Sequence, residues 1–196
     1  ACAEPFEFFK HYDSEANTIS IAYKYGEDEH QKLLAQFQKA ADEMLATVTP
    51  DMSDVEKAKN IYHALCTRMA YDDSALEDLE RKDSYYAYLH NSGVCITFAN
   101  VYNQLLTQVG IKTTLATCDY DATMGHAWSV VTLGGEDYFC DPTFELPYDN
   151  GSGYVYFGMN YADRTKDGIG TGGIRAGKYF TYTVLPEMIA ERSLNP

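Results

Sequence analysis

The hydrophobic positions between residues 29 and 48 recur at intervals of three and four, which is the spacing of one buried face of an α-helix. They are Leu33, Leu34, Phe37, Ala40, Ala41, Met44, Leu45 and Val48. Thr49-Pro50 ends this pattern, and Ser53-Asp54-Val55-Glu56 then has the form of a helix capping box. We therefore predict two consecutive helices, one over residues 29–48 and one from Ser53 to about Met69.

Two stretches that precede these helices are typical of β-strands. They are Phe6–His11 and Thr18–Tyr25, and the polar turn Asp13–Asn17 separates them. We predict that they form a hairpin, as an N-terminal β extension over residues 1–28.

A third helix is predicted to begin at Cys95. A glycine turn at Gly93 precedes this cysteine, and apolar residues then recur at helical spacing until Gly110. Three predicted strands follow at 112–119, 126–133 and 137–143. Helices followed by strands, without repeats or a linker, predict one α+β domain over residues 1–196 with its core at about 50–160.

The acidic charge of the chain changes which partners are expected. The formal net charge is −14 over 196 residues, and the acidic residues are scattered along the sequence. Neither nucleic acid nor an anionic membrane surface is an expected partner, and no apolar run is long enough to cross a membrane. Ala1-Cys2 is also what remains around a bacterial lipoprotein cleavage site, so we expect a secreted or cell-surface protein in which Cys2 is either a lipid anchor or an ordinary exposed cysteine.

The five cysteines do not have the pattern of a disulfide framework or a metal site. Their number is odd, Cys66 lies in a helical stretch as a small buried residue, and a strand is predicted between those of Cys118 and Cys140. No Cys-x-x-Cys, His-x-x-x-His or acidic calcium loop occurs. We therefore expect no disulfide among these cysteines, no metal and no cofactor.

The residues with candidate chemistry are Cys95, His126 and Asp141, which occur in Gly93-Val94-Cys95, His126-Ala127-Trp128 and Asp141-Pro142-Thr143. They are the residue types of a thiol nucleophile, its base and the group that orients the base. On the first turn of a helix, the free amides and the helix dipole favour a thiolate. The backbone amide of Cys95 is then the expected donor to a tetrahedral oxyanion.

The turn Gly134-Gly135 predicts how two of these residues meet. A two-residue hairpin turn sets a register in which Trp128 faces Asp141 and His126 faces Thr143. His126 and Asp141 are then diagonal neighbours on one face of the sheet, with backbones roughly 7 to 8 Å apart. A bulge beside the turn would instead move Asp141 to the other face.

Each residue also has an ordinary structural interpretation. Cys95 could be a packed helix cysteine, His126 a core histidine and Asp141 the start of an Asp-Pro turn. Tyr71 and Tyr88 are weak candidates for a second oxyanion donor, or packing tyrosines. Trp128 could shield a thiolate–imidazolium pair from water, or belong to the core. Chain order, helix start and hairpin register agree, and together they favour catalysis.

The three motifs together resemble the core of the transglutaminase-like superfamily of papain-related cysteine enzymes, over roughly Tyr71 to Phe157. The resemblance implies that the cysteine-bearing helix packs on an antiparallel sheet, behind additional N-terminal helices, and that Cys95, His126 and Asp141 are nucleophile, proton carrier and orienting group. Many relatives have asparagine where this chain has Ser129. The calcium loops and further domains of animal transglutaminases are absent from this sequence, and single-domain relatives of this kind occur in bacteria.

Three functions remain open at this stage. The first is a cysteine protease or amide hydrolase that acts on peptide or protein amide bonds, among which cell-wall peptides are one possible substrate. The second is a protein-glutamine transglutaminase or deamidase, and the third is a non-catalytic binding module. Hydrolysis is favoured, because transfer to an amine needs a site that excludes water. The sequence does not indicate the oligomeric state.

Overall fold

A computed structural model describes residues 8–13, 15–23, 26–76, 84–119, 125–148, 152–177 and 180–195. In these ranges the helices are α1 (Glu27–Leu45), α2 (Asp54–Arg68), α3 (Ser84–His90), α4 (Cys95–Gln108), α5 (Pro142–Glu145) and α6 (Tyr161–Thr165). The strands are β1 (Phe8–Asp13), β2 (Thr18–Tyr23), β3 (Ala70–Tyr71), β4 (Ser92–Gly93), β5 (Thr113–Asp119), β6 (Gly125–Leu133), β7 (Glu136–Cys140), β8 (Ile174–Ala176) and β9 (Tyr182–Val184). Short 3-10 turns occupy Asp73–Leu76 and Pro186–Met188.

The two long N-terminal helices form where the periodicity predicts them, with ends that differ by at most three residues. The capping box of α2 is complete: the Ser53 hydroxyl accepts a hydrogen bond from the Glu56 amide, and the Glu56 carboxylate accepts one from the Ser53 amide. The apolar face of α1 packs with α2, α3 and α4 in one core cluster. Cys66 lies in that cluster and is 5% exposed, as predicted. β1 and β2 form the predicted antiparallel hairpin.

The five-stranded antiparallel sheet has the order β7-β6-β5-β8-β9. The β6–β7 register is the predicted one, with Ser129 opposite Cys140, and both turn glycines have positive φ. α4 lies against β6, where the Ser129 hydroxyl is 3.5 Å from the carbonyl of Ala99. The α+β fold with a cysteine-bearing helix on an antiparallel sheet is therefore confirmed.

A second core cluster covers the sheet face that carries Trp128 and Val130. It is formed with residues of the C-terminal part of the chain, among them Met159, Ile169 and Val184. Since side chains alternate along a strand, the two clusters lie on opposite faces of β6, and His126 shares the face of Trp128.

Two predictions about the sheet are wrong in detail. β7 ends at Cys140 instead of Thr143, because Asp141 caps a short helix that begins with Pro142, and proline cannot donate to a strand ladder. The ladder pairs that were predicted for Asp141 and Thr143 therefore do not form. The sheet also contains two strands, β8 and β9, in addition to the three that were predicted for it.

Among the described residues, the cysteines at positions 66, 95, 118 and 140 are free thiols. β6 separates the strands of Cys118 and Cys140, as predicted. Cys2, the candidate lipid anchor, lies outside the described residues. Within the part of the chain that the structure describes, no helix is long and apolar enough to cross a membrane.

Candidate active site

Cys95 is the first residue of α4, after Val94 as the N-cap. Its backbone amide is one of the helix N-terminal amides that lack an intrahelical acceptor. Gly93 lies so close to this turn that a Cβ atom there would be 2.7 Å from the Thr97 methyl group. The glycine before the cysteine is therefore needed for close packing, and Cys95 itself is half-buried.

Tyr71 lies beside the start of α4. It pairs with Gly93 in the parallel β3–β4 bridge, and the amide of Asp72 donates to the carbonyl of Gly93 over 3.0 Å. Burial raises the pKa of the Tyr71 phenol to about 12, and the negative charge of the Cys95 thiolate is the next largest cause. The structure thus brings Tyr71 close to Cys95.

Asp141 is held by hydrogen bonds from three directions and is 0% exposed. Its Oδ1 accepts from the Phe144 amide at 3.2 Å, which caps α5. Its backbone amide donates to the carbonyl of Tyr156, and its carbonyl accepts from the Tyr62 hydroxyl, each over 2.8 Å. The position of this carboxylate is therefore fixed by α2, α5 and the segment around Tyr156.

His126 lies between Asp141 and Cys95. Its Nε2 is 2.6 Å from Oδ2 of Asp141. Its side chain also interacts with that of Cys95, which contributes to the raised pKa of His126. Because Asp141 occupies Nε2, the nitrogen left for Cys95 is Nδ1. The structure brings together the three residues that sequence analysis selected, in the order thiol, imidazole and carboxylate.

The charges of this group support one another. Burial by itself would lower the pKa of His126, but the charge and hydrogen bond of Asp141, followed by those of Cys95, raise it to about 9. Burial would likewise raise the pKa of Asp141, but its interactions with His126, Arg164 and the Phe144 amide hold it below the ordinary value. An imidazolium beside a carboxylate is therefore the favoured state near neutral pH.

Aromatic rings enclose the imidazole. The ring of Phe144 stacks on His126 with centroids 4.3 Å apart, and the ring of Trp128 stacks on it at 5.6 Å. Trp128 is 0% exposed and also belongs to the second core cluster. Trp128 is therefore a core residue whose ring also contacts the imidazole of His126.

Tyr88 lies elsewhere in the fold. It is 2% exposed in the helical core cluster, and its ring packs edge-on against Phe37 of α1 with centroids 4.3 Å apart. These contacts support the packing interpretation.

Two buried charged residues next to Asp141 were missed in the sequence. Arg164 on α6 is 0% exposed, and its Nη2 is 3.7 Å from Oδ2 of Asp141. Glu145 is also 0% exposed and accepts hydrogen bonds from the amides of Tyr156 and Val155; burial raises its pKa, against these hydrogen bonds, which lower it. No local pattern marks either residue, because a single Arg or Glu is ordinarily exposed.

In the described ranges, no group of three or more His, Cys, Asp or Glu side chains is arranged to hold a metal ion. The chemistry that the described residues can supply is that of a thiol nucleophile, an imidazole acid–base and an orienting carboxylate.

A helix that begins with a cysteine and packs on an antiparallel sheet with histidine and aspartate defines the papain-like class of folds. The chain belongs to the transglutaminase-like superfamily, whose family model matches residues 38–142 and so includes all three site residues. Among curated proteins, none matches this sequence.

Solved structures with a similar fold include a TGase, with a TM-score of 0.50 and 14% identity over 61% of this chain. A second is a candidate cysteine protease from Cytophaga hutchinsonii, with a TM-score of 0.45 and 13% identity over 74% of this chain. A third is a candidate protease from Parabacteroides distasonis, with a TM-score of 0.42 and 14% identity over 67% of this chain. The chain spans 34%, 64% and 30% of the lengths of these three chains, respectively. At such identities the likeness concerns the fold alone.

Proposed function

We propose that this protein is a cysteine hydrolase that cleaves peptide or protein amide bonds through Cys95, His126 and Asp141. The observation that carries the proposal is the position of His126, which is hydrogen-bonded to Asp141 and also interacts with the side chain of Cys95. A core histidine needs only one satisfied partner. A histidine between a buried carboxylate and a half-exposed thiol at a helix start is arranged for proton transfer.

The proposed reaction begins with the Cys95 thiolate and the His126 imidazolium. The sulfur attacks the carbonyl carbon of the amide, and the carbonyl oxygen becomes an oxyanion that the Cys95 backbone amide stabilises. The oxyanion collapses, the carbon–nitrogen bond breaks, and His126 gives its proton to the departing amine. The products of this half-reaction are a thioester on Cys95 and a free amine.

Water completes the cycle. Neutral His126 takes a proton from a water molecule, whose oxygen attacks the thioester carbon. The second tetrahedral intermediate releases the carboxylic acid and the Cys95 thiolate, and His126 is an imidazolium again. Asp141 stays ionised throughout and stabilises the imidazolium in both halves.

Hydrolysis is the favoured outcome because solvent reaches the thiol. Cys95 is half-buried and its neighbour Tyr71 is 39% exposed, so water has access to the thioester. Transfer to an amine would require a site that excludes water from this position and binds the amine. The fold likeness to a TGase nevertheless makes amine transfer the alternative that an experiment must separate.

The test is incubation with a peptide library, which includes cell-wall peptides and glutamine-containing peptides, with and without a primary amine. Mass spectrometry distinguishes backbone cleavage, conversion of a glutamine amide to a carboxylate, and incorporation of the amine. Cys95→Ala should abolish every product, and Cys118→Ala, a change at a buried cysteine outside the site, should not. Absence of all products with the wild-type protein would favour a binding module of the same fold.

We also propose that the protein is secreted, that Cys2 anchors it at the cell surface, and that residues 1–196 form a single domain. Metabolic labelling with a lipid precursor, compared between the full-length wild-type protein and Cys2→Ala, tests the anchor.

A further inference from the structure

We propose that Arg164 is a positioning residue of the active site, whose guanidinium keeps Asp141 ionised and aligned toward His126. The inference deepens the proposed function and rests on it. Arg164 lies outside the segment that matches the family model, which ends at residue 142.

The geometry joins Arg164 and His126 to the same carboxylate oxygen. Oδ2 of Asp141 is 2.6 Å from Nε2 of His126 and 3.7 Å from Nη2 of Arg164. The side chains of Asp141 and Arg164 are both 0% exposed. Opposite charges at such distance interact strongly when water is excluded, and an arginine is always protonated. Asp141 thus has a permanent positive charge beside it.

The guanidinium is also held by the rings that enclose the imidazole. It lies 4.8 Å from the centroid of Trp128, 5.3 Å from that of Phe144 and 5.8 Å from that of Tyr156. Trp128 and Phe144 are the same two rings that stack on His126. Arg164 and His126 therefore contact the same two rings and the same oxygen of one carboxylate.

The helix that carries Arg164 is anchored independently of Asp141. The Asn160 side chain caps α6 by accepting from the Asp163 amide at 2.8 Å, and it donates to the carbonyl of Glu191 over 3.0 Å. The Asn160 amide donates to the hydroxyl of Ser193 over 2.8 Å. The position of Arg164 is thus set by the C-terminal part of the chain, so that its charge is already in place for Asp141.

Among the described residues, the groups that face Asp141 include no permanent cation other than Arg164. Besides His126 and Arg164, these groups are thiols, phenols and one carboxylic acid: Tyr62 and Cys66 on α2, Tyr71 on β3, Cys140 on β7 and Glu145 on α5. Burial raises the pKa of each of these groups, which keeps the thiols and phenols neutral near neutral pH. Asp167 faces Arg164 from the far side, with Oδ2 3.7 Å from Nη1, and is partly exposed.

The charge of Arg164 should affect how the reactivity of Cys95 depends on pH in the acid range. Burial favours the protonated form of Asp141, and Arg164 opposes it. Once Asp141 takes a proton, His126 loses the charge that stabilises its imidazolium, and the imidazolium that supports the reactivity of Cys95 in the proposed mechanism is lost. Without Arg164 this change should occur at higher pH, and a neighbouring opposite charge typically shifts a carboxylic acid by about 1 to 3 pH units.

The test follows the rate of iodoacetamide labelling of Cys95 across pH, with the labelled peptide identified by mass. Arg164→Met is expected to move the acid limb of this profile upward by about one pH unit or more. Arg164→Lys, which keeps the charge, should leave the limb at the wild-type position. Arg175→Met is the matched control, because Arg175 forms an exposed ion pair with Asp119 on the same sheet. Circular dichroism confirms folding for every variant.

The outcomes separate this inference from the proposed function. An acid limb that stays in place or moves downward in Arg164→Met would overturn the role of Arg164 alone. If Arg164→Met does not fold, the labelling profile of Arg164→Lys is the test. An upward shift of the acid limb in Arg164→Lys, which keeps the charge, would show that Arg164 acts through packing and would overturn the role of its charge. A wild-type protein whose Cys95 is labelled only in the alkaline range of ordinary thiols would overturn both proposals.

Discussion

Replacement of Asp141 by asparagine isolates the effect of its charge on His126. Asparagine is also a good helix N-cap, so the cap of α5 that now uses Oδ1 of Asp141 should persist. The negative charge that favours the His126 imidazolium is lost. The pKa of His126 is about 9, compared with 6.5 for an unperturbed histidine. At about 1.4 kcal/mol per pH unit, this difference corresponds to about 3 kcal/mol in favour of the imidazolium.

Asp141 supplies the largest part of that stabilisation and Cys95 supplies less. In Asp141→Asn this contribution is lost while burial, which disfavours the imidazolium, remains, so His126 should support the reactivity of Cys95 less well. The rate of iodoacetamide labelling of Cys95 at about pH 6 should then fall by roughly one to two powers of ten. Asp119→Asn, at an exposed carboxylate of β5, is the control and should label at the wild-type rate. An Asp141→Asn protein that is folded and labels as fast as wild type would refute the coupling of this carboxylate to the thiol.

Three further outcomes follow from the structure. Gly93→Ala places a Cβ atom 2.7 Å from the Thr97 methyl group. We therefore expect the free energy of unfolding, measured in urea, to fall by about 1 to 3 kcal/mol and the labelling of Cys95 to be slower. A protein of unchanged stability would contradict this packing. Glu145→Gln leaves one of the two backbone amides bound by Glu145 without its acceptor, which should cost about 1 to 3 kcal/mol; equal unfolding midpoints would refute it. Below about pH 6.5, the raised pKa of His126 makes its full contribution to the stability of the fold, and this contribution is lost as the pH rises through about 9. The free energy of unfolding should therefore fall over that pH interval in the wild-type protein, and this fall should be absent in His126→Ala.

The sequence was sufficient to predict the region around the candidate site residues because local signals there are strong. The Gly134-Gly135 turn has one favoured geometry, and the β6–β7 register follows from it. The alternation of side chains along β6 then places His126 and Trp128 on one face. The strand ends one residue before Asp141, yet the side chain still reaches His126, because the N-cap conformation turns it toward the sheet.

The rest depended on contacts between distant parts of the chain. β8 has only three residues between glycine-containing segments, and its place is set by pairing with β5, for example Ala116 with Ala176. Arg164 has no local signal, because its burial depends on Asp141 and on rings from other elements. Hydrophobic periodicity reports which face of an element is buried, and it carries no information on which distant charge shares that burial.

The sheet order β7-β6-β5-β8-β9 also has a consequence for how the protein is made. Cys95, His126 and Asp141 are all synthesised before Arg164 and before the strand that completes the sheet next to β5. At about 5 to 20 residues per second, Arg164 is added roughly one to five seconds after Asp141. During that interval the nascent chain contains Cys95, His126 and Asp141 but lacks Arg164 and β8, so the buried cation beside Asp141 can join the fold only after the three candidate residues have been made.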